Sequence, residues 1–373
     1  MRPEAVAAME PFLSACFANP SGIHGAARAA KTALEGAREV VASALGADPG
    51  EVVFTAGGTE ADNLAVEGAA RAAVGHDGVV ITAFEHKGVL AAGDRLAAEG
   101  FDVRHVGVDA DGVVDLDQLE AALDDRTAVA SVMLVNNEVG TIQPLADVAA
   151  RVRRRAPQAV LHTDAVQAVP WLDVAAAAAD AQLVAISAHK FGGPKGVGAL
   201  VVRDGTTLQP LLEGGGQERG LRAGTVNVAG AVAMAAALST TVARRADEVR
   251  RVAGLRNRLA AGLTAAVPDA FLNGDPSRKV AGNCHVGFRG VEAEALLVAL
   301  DRLDIYAAAG SSCSSGATEP SHVLAAMGLP RADALASIRL SLGFASTDDD
   351  IDRGLTTIPA AVERLREGVR VGR

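Results

Sequence analysis

The chain has 373 residues, of which 49% are hydrophobic and only 3% aromatic, with three cysteines and a formal net charge of -10. At about 100–200 residues per domain, this length predicts about two domains, large enough to bury a core without disulfide staples. The acidic balance and the scarcity of aromatic rings argue against a nucleic-acid-binding protein. Three cysteines exclude a disulfide scaffold, and their odd number fits a reducing compartment such as the cytoplasm.

Neither the N-terminus nor the longest apolar stretch predicts export or membrane insertion. The first residues, MRPEAVAAMEPFLSACF, contain two glutamates and no long apolar core, so they differ from a secretory signal. Residues 226–242 are uncharged but rich in Ala, Gly and Thr, and a membrane span needs about 20 strongly apolar residues. We predict a buried helix there and no membrane partner.

From about residue 50 to residue 200, short β-branched runs alternate with helical stretches, and one further helix lies ahead of them. This alternation is typical of βαβ units on a mostly parallel sheet with helices on both faces. Ligands bind at the carboxyl ends of the strands in such sheets. The predicted strands are 51–55, 79–82, 103–108, 129–135, 159–163 and 183–187, and the predicted helices are 25–45, 61–73, 90–99, 116–123 and 145–155.

The pattern changes after about residue 216 and predicts a smaller α+β domain. We assign residues 1–15 and 227–373 to this domain, and residues 16–226 to the larger α/β domain. The predicted helices of the second part are 228–266, 293–303 and 348–367, its strands lie near 284–288, 305–307 and 338–342, and a polar loop spans 309–320.

A glycine-rich loop after the strand at 183–187 contains Ser187, His189 and Lys190. A lysine at this place can form a Schiff base if burial or nearby positive charge lowers its pKa. Ser187 and His189 flank it at positions that could reach a phosphate. The alternative is a surface turn with two lysines, Lys190 and Lys195.

Asp164 ends the apolar run at 159–163, so we expect it to be buried, where a carboxylate needs a partner. Pyridoxal phosphate enzymes use such an aspartate to keep the pyridinium nitrogen protonated. The alternative is an aspartate that caps the next helix.

The segment 55–63 follows a strand and opens a helix through Gly57, Gly58 and Thr59. Glycines allow close backbone approach, and a helix N-terminus offers free N–H groups to an anion. The segment therefore predicts a phosphate site, although it lacks the lysine of a Walker loop.

Two more polar clusters follow predicted strands. His86 could stack on a cofactor ring or move protons, although a lone histidine is more often structural. The amides of Asn136 and Asn137 could bind a ring hydroxyl or a carboxylate, or only build a turn. Arg339 lies in an apolar strand, where a bidentate clamp on a carboxylate explains it better than an outward-facing residue.

Cys313 lies in a run of small polar residues flanked by glycines, Gly310 to Gly316. Such a segment is too polar for a core strand, so its thiol is an accessible candidate nucleophile. Cys16 and Cys284 have apolar neighbours and are predicted to be inert core thiols.

Together and in this order, these motifs resemble the cysteine desulfurases, which belong to the class V, fold-type I pyridoxal phosphate enzymes. The resemblance covers nearly the whole chain, and the long loop around Cys313 resembles the subgroup that serves iron–sulfur assembly and tRNA thiolation. It implies a mostly parallel central sheet with helices on both faces plus a smaller α+β domain. Further segments that carry it are Asn19-Pro20-Ser21, Asn136-Asn137-Glu138-Val139-Gly140, Gly214-Gly215-Gly216-Gln217-Glu218-Arg219-Gly220, Arg222-Ala223-Gly224-Thr225, Glu319-Pro320-Ser321 and Ser337-Ile338-Arg339.

The resemblance also implies the cofactor, pyridoxal 5'-phosphate, and the residues that hold it. Lys190 would carry the cofactor and later move the substrate's α-proton, Asp164 would pair with the ring nitrogen, and Gln167 would bond the ring hydroxyl. His86 would stack on the ring and take part in catalysis. The remaining cofactor residues implied are Gly58, Thr59, Asn137, Ser187 and His189, together with Thr225, which would reach the phosphate of the other subunit in a homodimer.

For the substrate, the resemblance implies L-cysteine, bound through Asn137 and Arg339 with Asn19 nearby. The Cys313 thiolate would take the substrate sulfur as a persulfide, leaving L-alanine, and pass it to an acceptor or iron–sulfur scaffold protein. The remaining histidines have no metal-ligand spacing, so no metal site is predicted beyond a partner-shared iron–sulfur cluster on Cys313, which stays open. These histidines are His24, His76, His105, His162, His285 and His322.

One departure from the family pattern lies at the N-terminus. The family begins with a strand that helps line the active site, whereas this sequence starts where that strand should have ended. Either the true start lies upstream or the pocket lacks a piece. Two alternatives therefore stay open: another class V reaction, such as selenocysteine lyase or aminotransferase chemistry, and a weakly active scaffold.

Overall fold

The computed structural model describes residues 1–310 and 319–371. The chain forms two compact units. The larger comprises Met1–Val106, Asp115–Val135 and Gln143–Arg245, and the smaller comprises Gly107–Val114, Asn136–Ile142 and Ala246–Arg373.

The N-terminal segment belongs to the larger unit, whereas the sequence assigned residues 1–15 to the smaller domain. The backbone N–H of Arg2 donates to the carbonyl of Gly192 at 2.7 Å, and Arg2 Nε donates to the carbonyl of Phe191. Ala5, on the first helix, is fully buried. These contacts attach the segment to the loop that follows Lys190.

In the larger unit, helices and strands alternate as the sequence predicted. Helix 25–45 ends as predicted, with Gly46 in the left-handed conformation. The helices are α1 (Pro3–Leu13), α2 (Gly25–Leu45), α3 (Gly58–Ala72), α4 (Lys87–Ala98), α5 (Leu116–Ala122), α6 (Leu145–Arg155) and α7 (Val174–Ala177), and the strands are β1 (Val52–Thr55), β2 (Gly78–Thr82), β3 (Asp102–Val106), β4 (Thr127–Ser131), β5 (Val160–Asp164), β6 (Leu183–Ser187) and β7 (Gly198–Val202).

In the described residues these strands form one seven-stranded sheet in the order β1-β7-β6-β5-β4-β2-β3. All strands run parallel except β7, which pairs antiparallel with both β1 and β6. β7 was not predicted, because it does not follow the alternation of strands and helices. The ten residues between β6 and β7 are too few for a helical crossover, so the chain returns antiparallel. The carboxyl ends of β1, β2, β5 and β6 therefore meet at one edge of the sheet, and the predicted polar clusters follow those ends.

Helix α8 (Val228–Ala266) begins in the larger unit and ends in the smaller one. Its first half contains all but the first two residues of the apolar stretch 226–242, in which Met234 and Leu238 are fully buried, as predicted. Throughout residues 1–310 and 319–371, no helix is both long and apolar enough to cross a membrane.

The described part of the smaller unit contains an antiparallel four-stranded sheet in the order β10-β11-β9-β8. The strand predicted at 305–307 lies slightly later, and β8 was not predicted. The elements are β8 (Ala270–Leu272), β9 (Asn283–Phe288), α9 (Ala293–Asp301), β10 (Ala308–Ala309), α10 (His322–Ala326), α11 (Arg331–Leu335), β11 (Ser337–Ser341) and α12 (Asp348–Val371).

Candidate active site

Lys190 lies directly after the carboxyl end of β6. The strand ends at Ser187, and one short 3₁₀ turn, Ala188–Lys190, places His189 and Lys190 on the exposed side of the loop. Ser187 Oγ and His189 Nδ1 are 2.9 Å apart, within hydrogen-bond distance. The two side chains that flank Lys190 are thus held together.

A cleft of about 480 Å³ lies where α3 begins beside the end of β6. The backbone N–H groups of Gly58, Thr59 and Glu60 open a 15-residue helix, so they have no acceptor within it. A Cβ on Gly58 would lie 2.7 Å from Val166 Cγ2, so only glycine allows α3 to start this close to β5. The lining residues are Ala56, Gly57, Gly58, Thr59, Glu60, Ser187, His189, Lys195 and Gly196.

This cleft has the chemistry of an anion site. A helix N-terminus attracts negative charge, and hydroxyl, imidazole and ammonium groups add donors. Thr59, Ser187 and His189, all predicted phosphate residues, line it together. Lys195 lines it as well and adds a cation to which the sequence analysis gave no role.

Asp164 is the last residue of β5 and is only 5% exposed, as predicted. Its Oδ1 accepts a hydrogen bond from the N–H of Val166 at 2.8 Å. The helix-cap alternative is wrong, because the next helix begins only at Val174. Burial raises the pKa of Asp164 to about 8, and the positive charge of Lys190 acts in the opposite direction. The carboxyl is thus buried close enough to Lys190 to feel its charge.

His86 and Gln167 are both half-buried at strand ends of the same sheet. His86 caps α4, and its Nδ1 accepts a hydrogen bond from the N–H of Gly88 at 3.1 Å. An accepting Nδ1 assigns the proton of a neutral imidazole to Nε2. Gln167 follows Asp164 by three residues. Their predicted contacts with a cofactor ring stay predictions.

A buried polar network beside Asp164 was not predicted. Ser131 Oγ is 2.8 Å from His162 Nδ1, and His162 Nε2 is 3.5 Å from Asp62 Oδ1. Burial raises the pKa of Asp62 to about 8 and lowers that of His162 to about 4, so near neutral pH both groups are uncharged. The sequence did contain a signal for this network: His162 and Asp164 are two residues apart in one strand, and residues i and i+2 of a strand share a face.

Glu85 is a third buried carboxyl near these strand ends. Its Oε1 accepts hydrogen bonds from Thr82 Oγ1 and from the N–H of Met133, both at 2.7 Å. Burial raises its pKa to about 8, and the charges of Asp164 and Asp62 contribute in the same direction. Asp62, Glu85, Asp164 and His162 are called the strand-end cluster below.

In the smaller unit, the structure brings Asn137 and Arg339 together. Arg339 lies half-buried in β11, between β10 and β9, and its Nη1 donates to the carbonyl of Asn137 at 2.7 Å. The alternative of an outward-facing arginine is therefore not supported. Asn137 Oδ1 is buried and has no hydrogen-bond partner among the described residues.

The other predicted residues are exposed or lie outside the described residues. Asn19 is exposed and forms a turn, in which its Oδ1 accepts from the N–H of Ser21 at 3.0 Å. Thr225 is exposed on a loop before α8. Cys313 and most of the loop predicted at 309–320 lie outside the described residues.

The two described cysteines differ from each other. Cys284 is buried as predicted, and burial raises its pKa to about 11. The prediction for Cys16 is wrong, because Cys16 is exposed. It lies in the turn after α1, and its apolar neighbour Phe17 is itself 81% exposed.

Comparisons with known proteins show the family of the chain. Residues 1–353 match the family model described as Aminotransferase class-V. The chain is 40% identical to "Cysteine desulfurase IscS" of Clostridium botulinum over 98% of the chain and 92% of that protein. It is 42% identical to "Cysteine desulfurase" of Trichormus azollae over 98% of the chain and 90% of that protein.

A solved structure titled "NIFS-LIKE PROTEIN" superposes with a TM-score of 0.92 at 34% identity, covering 98% of this chain and 97% of that one. Its likeness and the mostly parallel seven-stranded sheet confirm the predicted fold-type I architecture. The chain therefore belongs to the class V aminotransferase family and, within it, to the cysteine desulfurases.

Proposed function

We propose that this protein converts L-cysteine to L-alanine with pyridoxal 5'-phosphate as cofactor and leaves the sulfur as a persulfide on Cys313. The observation that carries the proposal is the meeting of three groups at one edge of the large sheet: Lys190, the buried Asp164 and the anion cleft at the start of α3. The names of the matched relatives favour this reaction over aminotransferase or selenocysteine lyase chemistry and over an inactive scaffold.

The residues present fit this cofactor. Thr59, Ser187 and His189 would hold its phosphate, because the free N–H groups of the helix start, these three side chains and Lys195 line one cleft. Asp164 would pair with the ring nitrogen, since burial disfavours an unpaired negative charge there and a protonated ring nitrogen would supply the opposite charge that lowers its pKa. Pyridoxal phosphate supplies an electron sink for the pair left behind when a substrate proton is removed.

The chain's own residues supply the other steps. Arg339 and Asn137 would bind the substrate carboxylate. Lys190 Nζ would take the α-proton. The Cys313 thiolate would then attack the substrate sulfur; an S–S bond forms, the Cβ–S bond breaks, its electron pair stays on the carbon skeleton, and protonation of Cβ gives alanine. The persulfide would pass to an acceptor or iron–sulfur scaffold protein.

The assembly and remaining roles complete the proposal. His86 would stack on the ring and Gln167 would bond its hydroxyl, and Asn19 would lie near the substrate. Thr225 is exposed, which suits a role at the phosphate of the second subunit of a homodimer. We further propose that residues 16–226 carry the cofactor site, and that the enzyme works in the reducing cytoplasm, where Cys313 stays a thiol.

The test is product analysis with L-cysteine. We expect equal amounts of alanine and sulfide in the presence of a thiol reductant, and the same assay with L-selenocysteine measures selectivity. Cys313→Ser should keep the visible absorbance of the bound cofactor and its change on substrate addition, yet release no sulfide. Cys16→Ser is the matched control, because Cys16 is an exposed thiol with no role in the proposed reaction, and this variant should turn over normally. Sustained sulfide release by Cys313→Ser would sink the assignment.

A further inference from the structure

The turn at residues 136–140 is held from several sides by hydrogen bonds. Asn136 Oδ1 accepts from the N–H groups of Glu138 at 2.8 Å and Val139 at 3.0 Å. The N–H of Gly140 donates to the carbonyl of Asn136, and Asn283 Nδ2 donates to the carbonyl of Glu138 at 2.7 Å. This turn, called the 136–140 turn below, is therefore a fixed reference point in the smaller unit.

Glu138 points its carboxylate at residues on both sides of the segment that contains Cys313. Ser321 Oγ donates to Glu138 Oε2 at 2.5 Å, and both side chains are buried. A Cβ on Gly310 would lie 2.1 Å from the same Oε2 and 2.7 Å from Ser321 Cβ. Residue 310 must therefore be glycine for its backbone to pack against the carboxylate that also binds residue 321.

Residues 310 and 321 are each tied further into the unit. Ser321 Oγ also accepts from the N–H groups of Val323 and Leu324, so its proton is committed to Glu138. On the other side, Ala308 pairs with Arg339 in the sheet, two residues before Gly310. One end of the segment is thus connected to the strand pair that contains Arg339, and the other end to the start of α10.

We propose that Glu138 is a positioning residue that fixes the two ends of the Cys313 segment relative to the pair Asn137 and Arg339. The same turn carries Asn137, whose carbonyl accepts from Arg339 Nη1, and Glu138, which holds Gly310 and Ser321. This inference rests on the proposed function. It gives a role to Glu138 and to the Glu319-Pro320-Ser321 motif, neither of which touches the reacting atoms in the proposed mechanism.

The test compares Ser321→Ala and Glu138→Gln in a Cys16→Ser background, so that Cys313 is the labelled thiol. The Ser321→Ala enzyme should form the Cys313 persulfide in a single turnover about 10- to 100-fold more slowly, the factor that a misplaced reacting group costs. The KM for L-cysteine should change less than about twofold, because the Arg339 contact to Asn137 remains. Glu138→Gln keeps an acceptor oxygen for Ser321 and should restore most of the rate relative to Glu138→Ala.

The matched control is Ser337→Ala in the same unit. Ser337 is equally buried, and its hydroxyl donates to the carbonyl of Asp333 at 2.8 Å, away from Glu138. Loss of this hydroxyl should lower the thermal midpoint by a similar amount and leave persulfide formation unchanged. If the two serine variants slow persulfide formation equally, Glu138 and Ser321 have only a structural role and the proposal is overturned.

Alkylation of Cys313 by iodoacetamide, followed by mass spectrometry, provides a readout that does not need turnover. It should rise at least about threefold in Ser321→Ala and stay unchanged in Ser337→Ala, because only the first variant loses the hydrogen bond to Glu138. Equal alkylation rates in all three proteins would refute the positioning role. If alkylation differs between the variants as expected but the Cys16→Ser parent enzyme forms no persulfide, the result contradicts the proposed function instead.

Discussion

The strand-end cluster of the larger unit and the 136–140 turn of the smaller unit differ in the polar groups that they bury: mainly carboxyls with raised pKa values in the cluster, and amide and backbone groups joined by hydrogen bonds in the turn. In the cluster, three buried carboxyls have pKa values raised to about 8, and neither oxygen of Asp62 has a hydrogen-bond partner among the described residues. In the turn, Asn136, Glu138 and Asn283 exchange hydrogen bonds at 2.7–3.0 Å. In the cluster, the protonation state of the carboxyls can respond to a nearby charge. In the turn, the hydrogen bonds fix the positions of the backbone and side chains.

This difference follows from what each region would have to do in the proposed reaction. A carboxyl whose pKa lies near neutral pH can lose its proton when a cation is placed beside it, because a nearby opposite charge lowers its pKa. A substrate clamp gains from rigid geometry instead, since a displacement of about 1 Å can cost 10²-fold in rate. Substitutions in the two regions should therefore fail in different ways.

The largest expected effect is that of Asp164→Asn in the strand-end cluster. The amide keeps the shape and can still accept from the N–H of Val166, but it cannot carry the negative charge. We expect kcat to fall about 10²- to 10³-fold, the size measured when one electrostatic partner is removed from a buried site. Steady-state kinetics with L-cysteine provide the measurement.

Asp62→Asn is the matched control, because it removes a carboxyl of equal burial from the same cluster. Asp62 lies on α3 rather than at a strand end, so its loss should lower kcat less than about tenfold. If the Asp164→Asn enzyme keeps the wild-type kcat, Asp164 does not pair with the ring nitrogen as proposed. The expected difference between substitutions in the two regions would then be absent.

In the smaller unit, Arg339→Lys tests whether geometry rather than charge matters. The lysine keeps the positive charge but cannot present two parallel N–H groups to a carboxylate while it holds the carbonyl of Asn137. We expect the KM for L-cysteine to rise about 10- to 100-fold, with a smaller change in kcat.

Arg289→Lys serves as the control for that substitution. Arg289 binds Asp333 through two contacts of 2.9 Å at an exposed site, and its replacement should leave KM unchanged. Equal KM values for the wild type and Arg339→Lys would show that a charge alone suffices at this position.

The sequence predicted those parts of the fold and site that depend on local pattern. Helices 25–45 and 145–155 and strand 183–187 were predicted with the bounds that the structure has, because periodicity and capping residues lie within each segment. Asp164 was predicted to be buried because the apolar run of its own strand ends there. The position of Cys313 was a prediction that falls outside the described residues.

Features that depend on pairing across the chain were missed. Ser131, His162 and Asp62 come from β4, β5 and α3, and they meet only because the sheet places β4 beside β5. Glu138 and Ser321 are 183 positions apart. The error at Cys16 has the opposite origin: apolar neighbours suggested burial, but the turn after α1 exposes them.

The smallest expected effect concerns the pH dependence of stability in the cofactor-free protein. A buried carboxyl whose pKa is raised to about 8 stays protonated in the folded state while its unfolded counterpart ionises above about pH 4. The unfolded state then binds fewer protons, so stability falls as pH rises between about 4 and 8.

Asp62→Asn removes one such carboxyl and should flatten this fall, which gives a thermal midpoint about 2–4 °C above wild type at pH 8 and a smaller difference at pH 5. Asp247→Asn, at a highly exposed position on α8, should run parallel to wild type at every pH. Because the Asn283 amide does not titrate and its Nδ2 donates to the carbonyl of Glu138, Asn283→Ala should lower the midpoint by a similar amount at both pH values. A difference between Asp62→Asn and wild type that does not grow with pH would contradict the view that the strand-end cluster keeps its buried carboxyls protonated near neutral pH.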